Sequence, residues 1–154
     1  METSKEKLEL AKEKRRKYYE KNRYHICNYV LNVHCPKAID HVSRLCPDAV
    51  SDYYNRYPFE TYGEPFIIKR LRSYRISSCQ AKYQDCYDAG MFAYLFSIHR
   101  CAYFGLEHVE AYIKRMIRIY VICALALYDD TKNLCKLNGF KEVRMDADYH
   151  LDRY

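Results

Sequence analysis

The sequence predicts an all-α fold, and three observations carry that prediction. Only four Gly and four Pro occur in 154 residues, whereas a strand-rich fold needs frequent turns. No residue between Thr3 and about Val33 breaks a helix. Finally, Val109, Ile113, Met116, Ile117, Tyr120, Val121, Ala124, Leu125 and Tyr128 recur at threes and fours. Lys114, Arg115 and Arg118 fall on the opposite face of that helix.

The remaining elements follow in order. Thr3 and Glu6 fit a capping box, with Ser4 as a rival cap. The helix they open is predicted to be solvated and charged in its first half. It packs in its second half through Ile26, Tyr29, Val30 and Val33, and Pro36 ends it. Lys37 to Leu45 reads as a short helix. Pro47 opens another at its first position, running to about Tyr57. Pro58, Gly63 and Pro65 bound a loop. The triplet Phe66-Ile67-Ile68 fits strand or helix, and Lys69 to Ile76 reads as helix. Ser77 or Ser78 caps a long helix that Gly105 closes after Phe104. With so short a joint, Ser78–Phe104 and Glu107–Tyr128 should form an antiparallel hairpin. Asp129 or Asp130 caps a last helix ending before Gly139, followed by a tail without a clear period.

The expected architecture is therefore a single helical domain over 1–154. A basic N-terminal helix occupies 1–33 and short helices with a loop occupy 37–76. The central hairpin spans 78–128, and a short helix and tail span 129–154.

Composition narrows the function. Tyrosine is in excess, with 18 Tyr beside six Phe and no Trp. Its ring favours burial and its hydroxyl needs a partner, which suits half-wet contacts between proteins. The formal net charge is +6, with pI near 8.8. Nine Lys/Arg and five Glu in the first 23 residues supply +4 of it, so the basic character belongs to one arm. Such an arm attracts acidic proteins, anionic lipid or nucleic acid. Its N-terminus is charged, without an apolar signal, and carries too many acids for a cleavable transit peptide. The longest clean apolar stretch, Ile119 to Tyr128, has ten residues, against about 20 for a membrane span. Ala89 to Leu106 is longer but contains His99 and Arg100. Both read as core helices, with lipid contact open to them if those charges are paired.

Several groupings could carry chemistry. His25, Cys27, His34, Cys35, His41 and Cys46 are six soft-metal ligand types within 22 residues. Their spacing matches no zinc knuckle, so packing is the favoured reading and no metal or cofactor is expected. Cys79 with Cys86, and Cys35 with Cys46, lie too far apart along a helix to bridge. Reflection of the hairpin about Glu107 instead places Cys79 opposite Cys135 and Cys86 near Cys123 or Tyr128. That pairing loosely resembles the cysteine-stapled helical hairpins of the mitochondrial intermembrane space. It departs from them in spacing, because their paired cysteines stand nine or three residues apart. Arg15, Arg16, Tyr18, Tyr19 and Arg23 mix cations with rings, as single-stranded nucleic-acid sites do. Glu9 and Glu13, and Glu13 and Lys17, stand at helical spacing, so part of that charge is internally paired. Tyr53, Tyr54, Tyr57, Phe59 and Tyr62 concentrate around a loop, where they form a partner contact or close one end of the core.

Catalysis finds little support. His99 and Arg100 stand mid-helix, His108 lies near Glu107 and Glu110, and Asp146, Asp148 and Asp152 lack the glycine of a calcium loop. Neither a phosphate-cradling glycine loop nor a nucleophile elbow is present. The expected function is a non-catalytic accessory subunit of a larger protein assembly, in a mitochondrial membrane complex, with other protein subunits as partners. The alternative is a nucleic-acid-associated protein that uses the arm.

Overall fold

A computed structural model describes residues 3–137, with side chains through Asp129. Every regular element among them is helical, as the sequence predicts. The helices are α1 (Ser4–Tyr29), α2 (Cys35–Leu45), α3 (Pro47–Arg56), α4 (Phe59–Tyr62), α5 (Glu64–Ser73), α6 (Tyr83–Phe104) and α7 (Val109–Leu137). A single π turn, Val30–His34, joins α1 to α2.

The capping box at the start of α1 is complete. Glu6 donates its backbone N–H to Thr3 Oγ1 at 3.2 Å, and Thr3 returns its own to Glu6 Oε2 at 3.0 Å. Pro36 does not end this helix, contrary to expectation. A proline lacks an N–H, and its ring crowds the carbonyl four residues back. The π turn lies immediately before it, where Cys35 N–H reaches back to Val30 O. That wider turn absorbs the proline without stopping the coil.

The short elements also depart from expectation. The loop from Pro58 to Pro65 contains the one-turn helix α4 and the start of α5. Phe66, Ile67 and Ile68 are helical. The helix expected from Ser78 starts only at Tyr83, because 74–82 is taken up by consecutive turns. Gln80 N–H bonds Ser77 O at 3.0 Å and Tyr83 N–H bonds Gln80 O at 3.1 Å. At the other end, α7 runs through Asp129 and Asp130 to Leu137, so no new helix starts there. The expected stop before Gly139 and the tail lie outside the described residues.

Helix α6 is the centre, with α2, α3, α5 and α7 all packed on it. Its buried residues include Cys86, Ala89, Gly90, Tyr94, Phe96, Ile98 and Cys101, which do not fit one stripe. α7 makes the most extensive contact. Phe96 meets Tyr120 at 5.8 Å between rings. Gly105 closes α6 at φ 65, a left-handed conformation that only glycine adopts freely.

Gly90 is needed for a different reason. A β-carbon there would meet two side-chain carbons of Ile67 at 2.9 Å, and Ile67 is fully buried. Gly90 therefore sets how closely α5 approaches α6. At the end of α5, Arg75 sits at φ 58. Arg75 N–H bonds Arg72 O at 3.0 Å and Ile76 N–H bonds Leu71 O at 2.9 Å, the pattern of a left-handed helix stop that normally uses glycine.

Two stability changes follow. Gly90→Ala should cost about 1–3 kcal/mol in urea unfolding through overpacking, and the loss should shrink when combined with Ile67→Ala; additive losses would place the strain elsewhere. Arg75→Gly should raise stability by about 1 kcal/mol by relieving the left-handed φ, read as a higher urea midpoint at unchanged slope.

Candidate functional site

The loop aromatics fold inward. Tyr53 is buried, and Tyr54, Tyr57, Phe59 and Tyr62 are half-buried. Rings run in a chain from Tyr53 to Tyr57 (6.0 Å), Tyr57 to Tyr62 (5.2 Å) and Tyr62 to Phe66 (6.3 Å). Tyr54 and Phe59 pack on Tyr94 of α6 at 6.0 and 5.2 Å. Backbone carbonyls take up two hydroxyls. Tyr53 donates to Leu106 O at 3.0 Å, and Tyr94 donates to Tyr57 O at 2.6 Å. These rings close one end of the core. The reason is α4, whose single turn folds the loop back onto α6.

Helix α1 behaves differently. Cys27 is its only buried residue, and its neighbour in the body is α7. Arg15 and Arg16 are exposed and Arg23 is half-buried. Arg16 pairs with Glu13 at 2.6 Å and Lys12 with Glu9 at 3.6 Å. Tyr18 points outward at 65% exposure, joined by Leu8 at 50%. Tyr19 turns back instead, its hydroxyl 3.7 Å from Cys27 Sγ. Burial, with that contact, pushes the Tyr19 hydroxyl up to about 12. The arm's cations and rings are thus displayed together, with the Tyr19 ring exposed and its hydroxyl turned to Cys27.

The His–Cys group between 25 and 46 does not converge. His25 and His41 are exposed. His34 lies between Tyr29 and Phe96, at 5.9 and 5.6 Å between rings. Cys35 Sγ approaches Phe92 O at 3.8 Å, and Cys46 Sγ approaches Val42 O at 3.5 Å. No metal-ligating cluster forms among the described residues.

Three of the four cysteines expected in disulfides lie among the described side chains. Cys79, Cys86 and Cys123 are free thiols. Cys79 is exposed on the connector before α6, bonded to Ser77 Oγ at 3.1 Å, because α6 starts late. Cys135 lies outside the described side chains. Burial first, with Asp129 among the charges around it, raises the Cys86 thiol, and Asp129 stands six residues, roughly 9 Å of helix, beyond Cys123. The same six residues rotate Cys123 to another side of α7. There it joins Cys27, Ala126 and Leu127 in a small separate cluster, and a hydrogen bond with Cys27 followed by burial raises the Cys123 thiol.

Two arrangements escaped the sequence. His99 is buried in α6. Its Nε2 stands 2.8 Å from Ser43 Oγ on α2, and its Nδ1 stands 2.7 Å from Leu95 O. The carbonyl fixes the Nδ1–H tautomer, which leaves Nε2 to accept from Ser43. Tyr54 packs edge-on against the same ring at 5.7 Å. This couples α2, α3 and α6. Second, Tyr103 and Phe104 form an exposed ring pair at 4.9 Å, with Leu106 and Leu45 also exposed. Tyr103 lies 6.4 Å from the His41 ring, one turn before Leu45. Arg100 lies over Phe104 at 5.0 Å, with its Nε buried and unpartnered. The sequence held a signal for this patch: three large apolar residues flank Gly105 at a helix end, where a turn leaves them little to pack on.

No helix among the described residues is long and apolar enough to cross a membrane. No family model, curated protein or solved structure matches the chain.

Burial lowers the pKa of His99 from 6.5, opposed by its bond to Leu95 O. The unfolded chain therefore binds a proton first as pH falls. The stability His99 contributes is present above about pH 6.5 and is lost as acidification proceeds below it. Urea unfolding of the wild type should weaken from pH 7.5 to pH 5.5 more steeply than that of His99→Gln; identical slopes would count against this assignment.

Proposed function

We propose that the protein is a non-catalytic structural subunit of a larger assembly, held by protein partners. One observation carries this reading: α1 extends over 26 residues yet buries only Cys27 against the rest of the chain. A helix with so little tertiary support is marginal in water, since most helical stability in proteins comes from packing. Partner surface on the arm would supply what the body does not. Leu8, Leu10 and Tyr18 are the apolar anchors it offers, flanked by Arg15 and Arg16.

The exposed patch of Leu45, Tyr103, Phe104 and Leu106 supports the same reading. Exposed aromatic residues beside an arginine are typical of contact surfaces. Placement in a mitochondrial membrane complex belongs to this proposal, as does contact of the arm with anionic lipid at such a membrane. The competing use of the arm is nucleic-acid binding, favoured by exposed Tyr18 among its cations.

Affinity recovery from gently lysed source cells, followed by native mass measurement, tests the proposal. A fixed stoichiometric set of proteins should copurify. The set should shrink by at least tenfold with Leu8→Glu combined with Tyr18→Glu, while the circular dichroism of residues 35–129 stays helical. Recovery of the free monomer alone would overturn the reading. Copurified nucleic acid, lost on nuclease treatment, would transfer the arm to the alternative.

A further inference from the structure

We propose that Cys27 and Cys123 are a redox modification site: a disulfide forms between them and fastens α1 to α7. Three features of the structure lead there. The two thiols come from different helices and share one small buried cluster, with Cys27 fully covered and Cys123 nearly so. They lie within hydrogen-bonding reach of one another, and the Tyr19 hydroxyl stands 3.7 Å from Cys27 Sγ. The other described thiols have different neighbours. Cys35 faces Phe92 O, Cys46 faces Val42 O, Cys79 faces Ser77, Cys86 lies near Asp129, and Cys101 sits in the main core.

The position gives the bond a consequence. α1 is attached to the body chiefly through α7, and this cluster is the point of attachment. A bond from 27 to 123 spans 96 positions of sequence, a long loop whose closure restricts the unfolded chain strongly. In the reduced state α1 can lift from α7 by local opening, since few buried contacts hold it. In the oxidised state its last two turns are fixed, and the arm of residues 4–21 keeps one direction relative to the body.

The co-reactant is a small disulfide of the glutathione type. One cysteine, as thiolate, attacks the oxidant's S–S bond; a mixed disulfide forms and one glutathione thiolate leaves. The second cysteine thiolate then attacks the protein sulfur of that mixed disulfide, and the second glutathione thiolate leaves. The protons lost by Cys27 and Cys123 are taken up by the two departing thiolates. The protein pair is oxidised and glutathione disulfide is reduced to two glutathione molecules. Its hydrogen bond with Cys27, then burial, holds the Cys123 thiol protonated at neutral pH, so the reaction accelerates with pH and waits on opening of α1.

The test uses the purified full chain, dilute, equilibrated at pH 8 with excess oxidised glutathione and then acid-quenched. Non-reducing intact mass should show the loss of two hydrogens, reversed by dithiothreitol. Trypsin should yield residues 24–37 joined to residues 119–132, with fragmentation assigning Cys27 rather than Cys35. The oxidised chain should melt higher, on the order of 5 °C or more. Cys35→Ser should retain the bond, whereas Cys27→Ser and Cys123→Ser should each lose it. Stable glutathione adducts without a bridge, a bridge through Cys35, or a folded wild type that keeps its full thiol count would each overturn the proposal. The wild-type readout needs no variant to fold. It is made on the isolated chain, so its outcome is independent of whether the protein works in an assembly.

Discussion

The structure depends on enclosing α6. A helix whose buried residues point in most directions must be covered on most of its circumference, because each uncovered apolar side would be left in water. α7 covers the side of Phe96, α5 covers Gly90, α2 reaches His99 through Ser43, and α3 reaches Tyr94 through Tyr54. The short helices are the remaining walls of one enclosure.

The tyrosines solve a chemical problem that this enclosure creates. Helix ends and turns leave carbonyls without intrahelical donors. A phenylalanine would cover them without bonding them. Tyr53 and Tyr94 cover and bond at once, through Leu106 O and Tyr57 O. Burial raises the hydroxyls of Tyr54 and Tyr94, so they remain neutral donors. Part of the tyrosine excess is thus an internal device, and the exposed large apolar side chains lie elsewhere: on the outer turns of α1 and around Tyr103 and Phe104. Cysteine shows a similar division. Burial pushes Cys86 up to about 12 and Cys101 up to about 11, which makes them small apolar packers. Cys27 and Cys123 join an outlying helix to the body.

Much of this was legible before any fold was known. Threes-and-fours spacing identified α7, Gly105 marked the end of α6, and Thr3 with Glu6 marked the start of α1. Other features were hidden because they depend on where neighbours lie. Pro36 reads as a stop unless a π turn precedes it. Ser43 and His99 are 56 positions apart, with no pattern in the sequence to connect them. Counting along the hairpin puts Cys86 near Cys123 or Tyr128, but counting gives the level along a helix and ignores rotation around it.

The sequence by itself determined the helical class, because scarcity of Gly and Pro, local caps and apolar spacing act within a few residues. Tertiary structure decided which faces are spent on the core and which remain outside. That choice is set by distances between segments far apart in the chain, such as the covering of Tyr94 by residues 54–59 or the meeting of Cys27 with α7. Short-range preferences shape each helix, but only the burial of all of them together settles which side chains are left for others.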